Sequence, residues 1–214
     1  MENRIRISCA VLCRIEHEGR YLLLVNENRR RRGVYILSPI GGALIVESPA
    51  PLLEMGAAFE DPNSKDLRLS LPHGALDAFR VWFYRGEGRE LTPFRELHEE
   101  LVLESGLLPM LTAHDVEWQR LWTAEQEGFT GRLGQTGVLT HYFLEIYDVK
   151  FVTPRSLGLL LDLPPESGAS WVSPDLIDTC GTIEMNLDGE RRTVRINGQA
   201  VLHPPTDART MPEF

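Results

Sequence analysis

In "GEGRELTPFRELHEEL", residues 86–101, three acids fall three and four residues apart: Glu96, Glu99 and Glu100. Thr92 followed by Pro93 predicts a helix with Thr92 as its N-cap and proline in the first turn. Ser105-Gly106 predicts its end. Each helical residue turns about 100°, so with Glu96 at zero, Glu100 lies at about +40° and Glu99 at about −60°. The three share one face, while Phe94, Leu97 and Leu101 group on another that can pack on a sheet. Like-charge pairs at these spacings cost a helix roughly 0.2–0.5 kcal/mol each. Arg95, four residues before Glu99, offsets part of this, but the face carries no lysine. A solvated acidic face is the plain alternative. A divalent cation would turn the repulsion into coordination, because magnesium takes a few carboxylates, keeps waters and accepts substrate phosphate in its remaining positions.

The elements that must position this helix can be read from periodicity. "RIRISCAVLCRIE" (4–16) alternates as a strand, "HEGR" turns, and "YLLLVNEN" returns as a second strand of a hairpin. "RRRR" (29–32) reads as a solvated loop, or as an anion-steering patch beside an otherwise acidic site. "VYILSPIGGAL" is a third strand ending at Pro39, Gly41 and Gly42, where paired glycines permit positive φ or a close approach. "SPAPLLEMGAAFE" reads as a short helix capped by Ser48, and "LRLSL" and "FRVWFY" as strands. After the acidic helix, "VEWQRLW" and "THYFLEIYDVKF" read as strands and "TAEQEGFTG" as a loop. "PRSLGLLLDLPPESG" is a short helix or loop, and "ASWVSPDLID" a strand entering a helix. Asp188-Gly189 and Asn197-Gly198 are hairpin signals, and the tail 203–214 reads as irregular.

Composition bounds the function. A chain of 214 residues with 43% hydrophobic residues predicts one elaborated domain. A net charge of −9 argues against general binding of double-stranded nucleic acid, whose phosphates are held by Lys and Arg. No apolar run approaches the roughly 18 residues of a membrane span, and the first residues lack a secretory pattern. Cys9 and Cys13 share a strand face and read as core; with Cys180 they are too few and too scattered for a disulfide framework or a zinc site. A reducing, cytoplasmic compartment is expected.

The helix and the residues before it resemble the Nudix box: Gly, five residues, Glu, seven residues, then Arg-Glu-apolar-any-Glu-Glu-any-Gly-apolar. Arg95, Glu96, Leu97, Glu99 and Glu100 match its second half, and seven residues separate Arg95 from Glu87, which follows Gly86 in the motif's common "GE" pair. There are two departures. Val81 stands where the first glycine belongs, so Gly41-Gly42 takes that part with residues 43–85 inserted; Val102 replaces the late glycine. With the helix running on, Leu103 would fall on the acidic face. A shifted register would recruit Glu100 and Glu104, but it loses Arg95; Glu104 is a secondary ligand candidate. The spelling "GRELTPFRELHEEL" and the later "HYFLEIYDV" look most like the SMODS-associated Nudix branch, linked to bacterial nucleotide-signalling and antiphage defence. The likeness covers roughly residues 4–180.

The resemblance implies an α/β fold: a Nudix-like α/β/α sandwich with a mixed β-sheet, an insertion at 43–85 before the Nudix helix and a C-terminal β extension at 181–214, all in a single domain, 1–214. It implies hydrolysis of a nucleoside diphosphate linked to another group, with Mg2+ or Mn2+ held by Glu96, Glu99 and Glu100. Glu96 and Glu99 are then the catalytic acids. Arg95 orients a metal-binding glutamate, Glu87 is structural, and Gly41 and Gly42 approach the site. Glu166 is the first candidate for a distal general base, followed by Glu125 and Glu127. Tyr35, Trp82, Phe83 and Trp122 could stack on a base, though any one reads more readily as core. His98 lies about 160° from Glu100 on the helix and is a poor ligand; His73 and His141 have no partner at ligand spacing. The partner is a nucleotide or dinucleotide-like small molecule. Nudix proteins often form homodimers, but no signal in the sequence speaks to it. The rival reading is a non-catalytic nucleotide sensor on the same scaffold, which Val102 and the insertion favour and the intact acid set opposes.

Overall fold

The computed structural model describes residues 3–131 and 134–204. Its first strand, β1 (Arg4–His17), buries Ile5, Ile7, Cys9, Val11, Cys13 and Ile15, the alternate residues of the period-2 pattern. A tight turn with Glu18 at φ 48° and Gly19 at φ 75° leads into β2 (Arg20–Val25). Positive φ at both central positions is what a two-residue hairpin of this twist requires. The antiparallel pairing is short, Glu16 with Tyr21 and His17 with Arg20, and the two strands then enter different wings of a connected mixed sheet.

In the first wing, β1 pairs in parallel along β7 (Leu139–Phe151), which pairs antiparallel with β6 (Val116–Phe129). The opposite edge of β1 is served by three segments in turn. β5 (Arg68–Pro72) covers its beginning and carries β4 (Ala58–Phe59) outside it. Residues 40–44 cover its middle, where Val11 N–H donates to the Gly42 carbonyl and Cys13 N–H to that of Ile40; β2 covers its end. Gly42 is thus hydrogen-bonded directly to the central strand. The second wing is β8 (Ala169–Val172), β2, β3 (Ile36–Ser38), β10 (Glu190–Ile196) and β9 (Thr182–Leu187). The Asp188-Gly189 hairpin joins β9 to β10 as expected.

Among the described residues the α-helices are α1 (Glu27–Arg30), α2 (Ala50–Glu54), α3 (Leu76–Arg85), α4 (Phe94–His98), α5 (Pro154–Leu161) and α6 (Pro174–Asp178). The fold class is the expected one, α/β with a large mixed sheet, consistent with a Nudix-like fold. The main core gathers the buried face of β1 with Phe79 and Phe83 from α3, Leu97 and Leu101 from the acidic helix, Phe143 from β7 and Leu160 from α5. Residues 43–85 contribute Leu52, Leu67, Leu69, Leu71 and Phe79, all fully buried, so this stretch packs into the core. On the other face of the β1–β7–β6 layer, Ala124, Leu144 and Ile146 pack against Val201.

Five local expectations are corrected. Ser48 does not cap α2; Pro49 holds the cap position without a side-chain hydrogen bond. "FRVWFY" is part of helix α3: Phe79, Trp82 and Phe83 recur at i, i+3 and i+4 and bury together, and Gly86 at φ 72° ends the helix. "TAEQEGFTG" is largely strand, because β6 continues to Phe129 opposite β7. Thr92 does not cap the acidic helix; Pro93 holds the cap position without a side-chain hydrogen bond. Asn197-Gly198 opens a 3-10 turn, Gln199–Val201, because the edge of β10 is already paired with β3. The expectation for 203–214 lies mostly outside the described residues. No helix among the described residues is long and apolar enough to cross a membrane.

Candidate functional site

The acidic helix begins as α4 and continues without a break through Glu99–Glu104 as a wider, π-type turn. In that turn Ser105 N–H donates to the Glu100 carbonyl five residues back, at 3.0 Å. Gly106, at φ 63°, ends it. Leu97 and Leu101 anchor the helix in the core, Val102 packs against it in part, and Leu103 is exposed. Widened turns of this kind recur at functional sites; this one falls where the chain carries Val102 in place of the expected glycine.

Glu96 is buried against the glycine pair. A Cβ at Gly42 would collide with the Glu96 carboxylate, and one at Gly41 with the Val11 carbonyl. Gly41, at φ 153° against backbone, must therefore be glycine, whereas a side chain at position 42 would push the Glu96 carboxylate out of its place. Burial pushes the Glu96 carboxyl up to about 7, against the pull of Arg95 and with the push of Glu99. Glu100 accepts the Gly41 backbone N–H; burial, reinforced by Glu96 and Glu104, pushes it up to about 8.

Arg95 organises the acids from the other side. Its Nε and Nη2 donate to the two oxygens of Glu90 at 3.0 and 2.9 Å, and its Nη1 donates to Glu99 at 3.0 Å. Nη2 also reaches the Ala43 carbonyl at 2.7 Å and pairs with Glu96 at 2.8 Å. The partner that grips Arg95 bidentately is thus Glu90, which also accepts the Ile45 N–H. Glu87, expected in the supporting role, is exposed at the turn. The motif count pointed to Glu87; the carboxylate that reaches Arg95 is that of Glu90. Beside Glu90, Arg89 is fully buried and donates from Nη2 and Nη1 to Glu145 of β7, at 2.8 and 3.2 Å. Neither Glu90 nor the Arg89–Glu145 pair was singled out from the sequence. The one available signal for Glu90 was its place in the quoted stretch, within reach of Arg95.

A cleft of about 200 Å3 opens next to Glu100. Glu104 and Glu166 line it with Glu100, so the first distal-base candidate reaches the site, on a loop where Glu166 holds φ 66°. Glu125 is committed elsewhere. It accepts from Arg80 Nε and the Tyr84 hydroxyl, both at 2.9 Å, and lies 3.1 Å from His141 Nε2. Burial would raise its carboxyl, but these bonds outweigh that and hold it at about 2. Glu127 lies 3.4 Å from His141 Nδ1, so His141 sits between two acids of β6. Trp82 and Phe83 are core, Trp122 packs on the other sheet face, and the Tyr35 hydroxyl donates to Asp188. From the arginine run, Arg30 lines the cleft while Arg29 and Arg31 are exposed.

The oxygen-only donor set, with Glu96 sharing Arg95 among three acids and Glu100 acted on mainly by other acids, fits a hard divalent ion. Glu99 is turned onto Arg95, and among the described residues no three ligating side chains are already gathered around one point. The SMODS-associated NUDIX domain matches residues 4–197. The chain belongs to that family. No curated protein matches it. Membership makes this Nudix protein a Nudix-type hydrolase or a related module built for nucleotide-type ligands.

Proposed function

We propose that this Nudix domain, taken as one unit over residues 1–214, hydrolyses a nucleoside diphosphate joined to a second group, using Mg2+ or Mn2+. The observation that carries this reading is the pair Glu96 and Glu100: two carboxylates one helical turn apart, Glu96 buried against Gly42 and Glu100 half-buried at the cleft, pushed up to about 7 and about 8. A fold that only needed a helix there would do better with apolar residues. Glu96 and Glu100 would hold the ion, with Glu99 joining when it leaves Arg95. The ion would supply charge neutralisation at the diphosphate and a lowered pKa for attacking water. Arg95, gripped by Glu90, keeps Glu96 and Glu99 oriented. Gly41 fixes one Glu100 oxygen through its N–H, leaving the other for the ion. Glu166, which lines the cleft, would accept a proton from water there, and Glu104 would add negative charge that favours cation binding. Hydrolysis at phosphorus then depends on positioning and electrostatics. A role in nucleotide signalling or antiphage defence is part of this proposal.

The second reading, a nucleotide sensor without turnover, is favoured by the π-type turn at Val102 and by the Glu99–Arg95 pair. A panel of nucleotides with magnesium or manganese, scored for released phosphate or monophosphate and repeated with Glu100→Gln, separates the two. Turnover abolished by Glu100→Gln supports the hydrolase. Binding without turnover across the panel supports the sensor, and turnover that survives the substitution contradicts the ligand assignment.

A further inference from the structure

The cleft beside Glu100 has an unusual charge pattern. Its lining residues include four carboxylates, Glu27, Glu100, Glu104 and Glu166, and a single cation, Arg30. A phosphate entering such a cleft meets mainly repulsion unless it arrives with metal and finds that one guanidinium. Arg30 ends α1, and the C-terminal hairpin aims it. Its Nε and Nη2 both donate to Asp188 Oδ1, at 3.1 and 2.7 Å. Asp188 occupies the β9–β10 turn at φ 56°, and its other oxygen accepts the Tyr35 hydroxyl at 2.9 Å. The Arg192 guanidinium covers the Tyr35 ring at 4.9 Å. Asp188 is therefore held from both sides. Arg30 Nη1, in contrast, faces Glu27 at 3.7 Å, beyond hydrogen-bond reach, and so keeps donors for a ligand.

We propose that Arg30 contacts a phosphate of the nucleotide in the cleft that Glu100 shares, and that Asp188 and Tyr35 are the residues that position it. This deepens the hydrolase reading and rests on it. It also gives residues 181–214 a part in substrate recognition: the hairpin turn reaches across to an arginine more than 150 positions earlier in the chain. The ligand it selects is a diphosphate with one phosphate at the metal and another within reach of Arg30 Nη1, a charge-assisted donor to phosphate oxygens whose aim Asp188 fixes through Nε and Nη2.

The test titrates the full chain with the manganese complex of inorganic pyrophosphate by calorimetry, and with manganese alone by electron paramagnetic resonance. Arg30→Met should weaken manganese-pyrophosphate binding about ten- to a hundredfold while leaving manganese binding unchanged. Arg30→Lys should recover part of the loss, and Asp188→Asn should weaken binding severalfold. A simple staple predicts something else: Arg30→Met and Asp188→Asn lower Tm alike, and the folded protein binds pyrophosphate as before. That result overturns the proposal. If Arg30→Met does not fold, Arg30→Lys decides: weaker pyrophosphate binding at an unchanged Tm supports the proposal, and wild-type affinity overturns it. Loss of binding in Glu100→Gln with wild-type affinity in the Arg30 variants removes this inference alone. A wild-type chain that does not bind the complex, or binding indifferent to both Arg30 and Glu100, removes the hydrolase reading with it.

Discussion

Two sets of buried carboxylates lie in the same core, and they are treated in opposite ways. Glu145 is fully buried and saturated: Arg89 takes both of its oxygens, Arg120 donates to one at 3.1 Å, and the Tyr147 hydroxyl approaches the other. Glu125 is held at about 2 by His141, Arg80 and Tyr84 in spite of burial. Glu96 is buried and Glu100 half-buried at the cleft, yet Glu96 shares its one arginine with Glu90 and Glu99, and the charges that act most on Glu100 are other acids. The first set is matched charge for charge and ties strands together. The second is left short of positive charge, which a fold tolerates where a ligand will supply it. The contrast supports the proposal that Glu96 and Glu100 bind a metal ion, without any appeal to the motif.

The sharpest way to break the contrast is to neutralise one acid from each set. Glu145→Gln should destabilise the protein by about 3–5 kcal/mol, because it strands the buried Arg89. Urea denaturation reads this directly. Glu100→Gln should do the reverse to stability, raising Tm in metal-free buffer at pH 8, while cutting metal-dependent turnover by about 10²–10³-fold, roughly 3–4 kcal/mol in the barrier. If the two substitutions move stability in the same direction, the distinction between the sets is wrong.

A pH series sharpens the same point without mutation. The folded state keeps a proton on Glu100 up to about 8, whereas an unfolded chain releases it near 4.5. The folded state thus binds more protons across that window, and stability falls as pH rises through it. The metal-free protein should lose more than about 1.4 kcal/mol, the free energy of one pKa unit, between pH 5 and pH 8. Saturating magnesium or manganese should flatten the slope, since it replaces the proton. Glu100→Gln should flatten it in metal-free buffer. A wild-type protein whose stability does not change over this range would place both carboxylates in solvent.

How much of this was readable beforehand follows from the range of each interaction. The acidic face depends on spacing within one helix, so Glu96, Glu99 and Glu100 could be named from sequence, as could the glycine pair that permits close approach. What approaches Gly42 could not be named, because Glu96 lies 54 residues on. The "FRVWFY" segment misled because its aromatic and β-branched residues suit a strand, while burial at Phe79, Trp82 and Phe83 follows a helical period. The Arg89–Glu145 pair spans 56 residues and leaves no local mark.

The smallest effect tests the motif count itself. Glu87 and Glu90 are three residues apart, and the spacing rule names the first while the geometry names the second. Glu90 holds Arg95 with both oxygens and accepts the Ile45 N–H, so it fixes the arginine that orients Glu96 and Glu99. Glu90→Gln should cost about tenfold in metal affinity or activity, the usual penalty for losing a group that orients a ligand. Glu87 is exposed, and Glu87→Gln should stay within about 0.5 kcal/mol of wild type in stability, with manganese affinity unchanged. Manganese titration of the two variants decides between them. If Glu87→Gln weakens binding and Glu90→Gln does not, the functional contact follows the counted motif, and Arg95 must exchange partners when the metal binds.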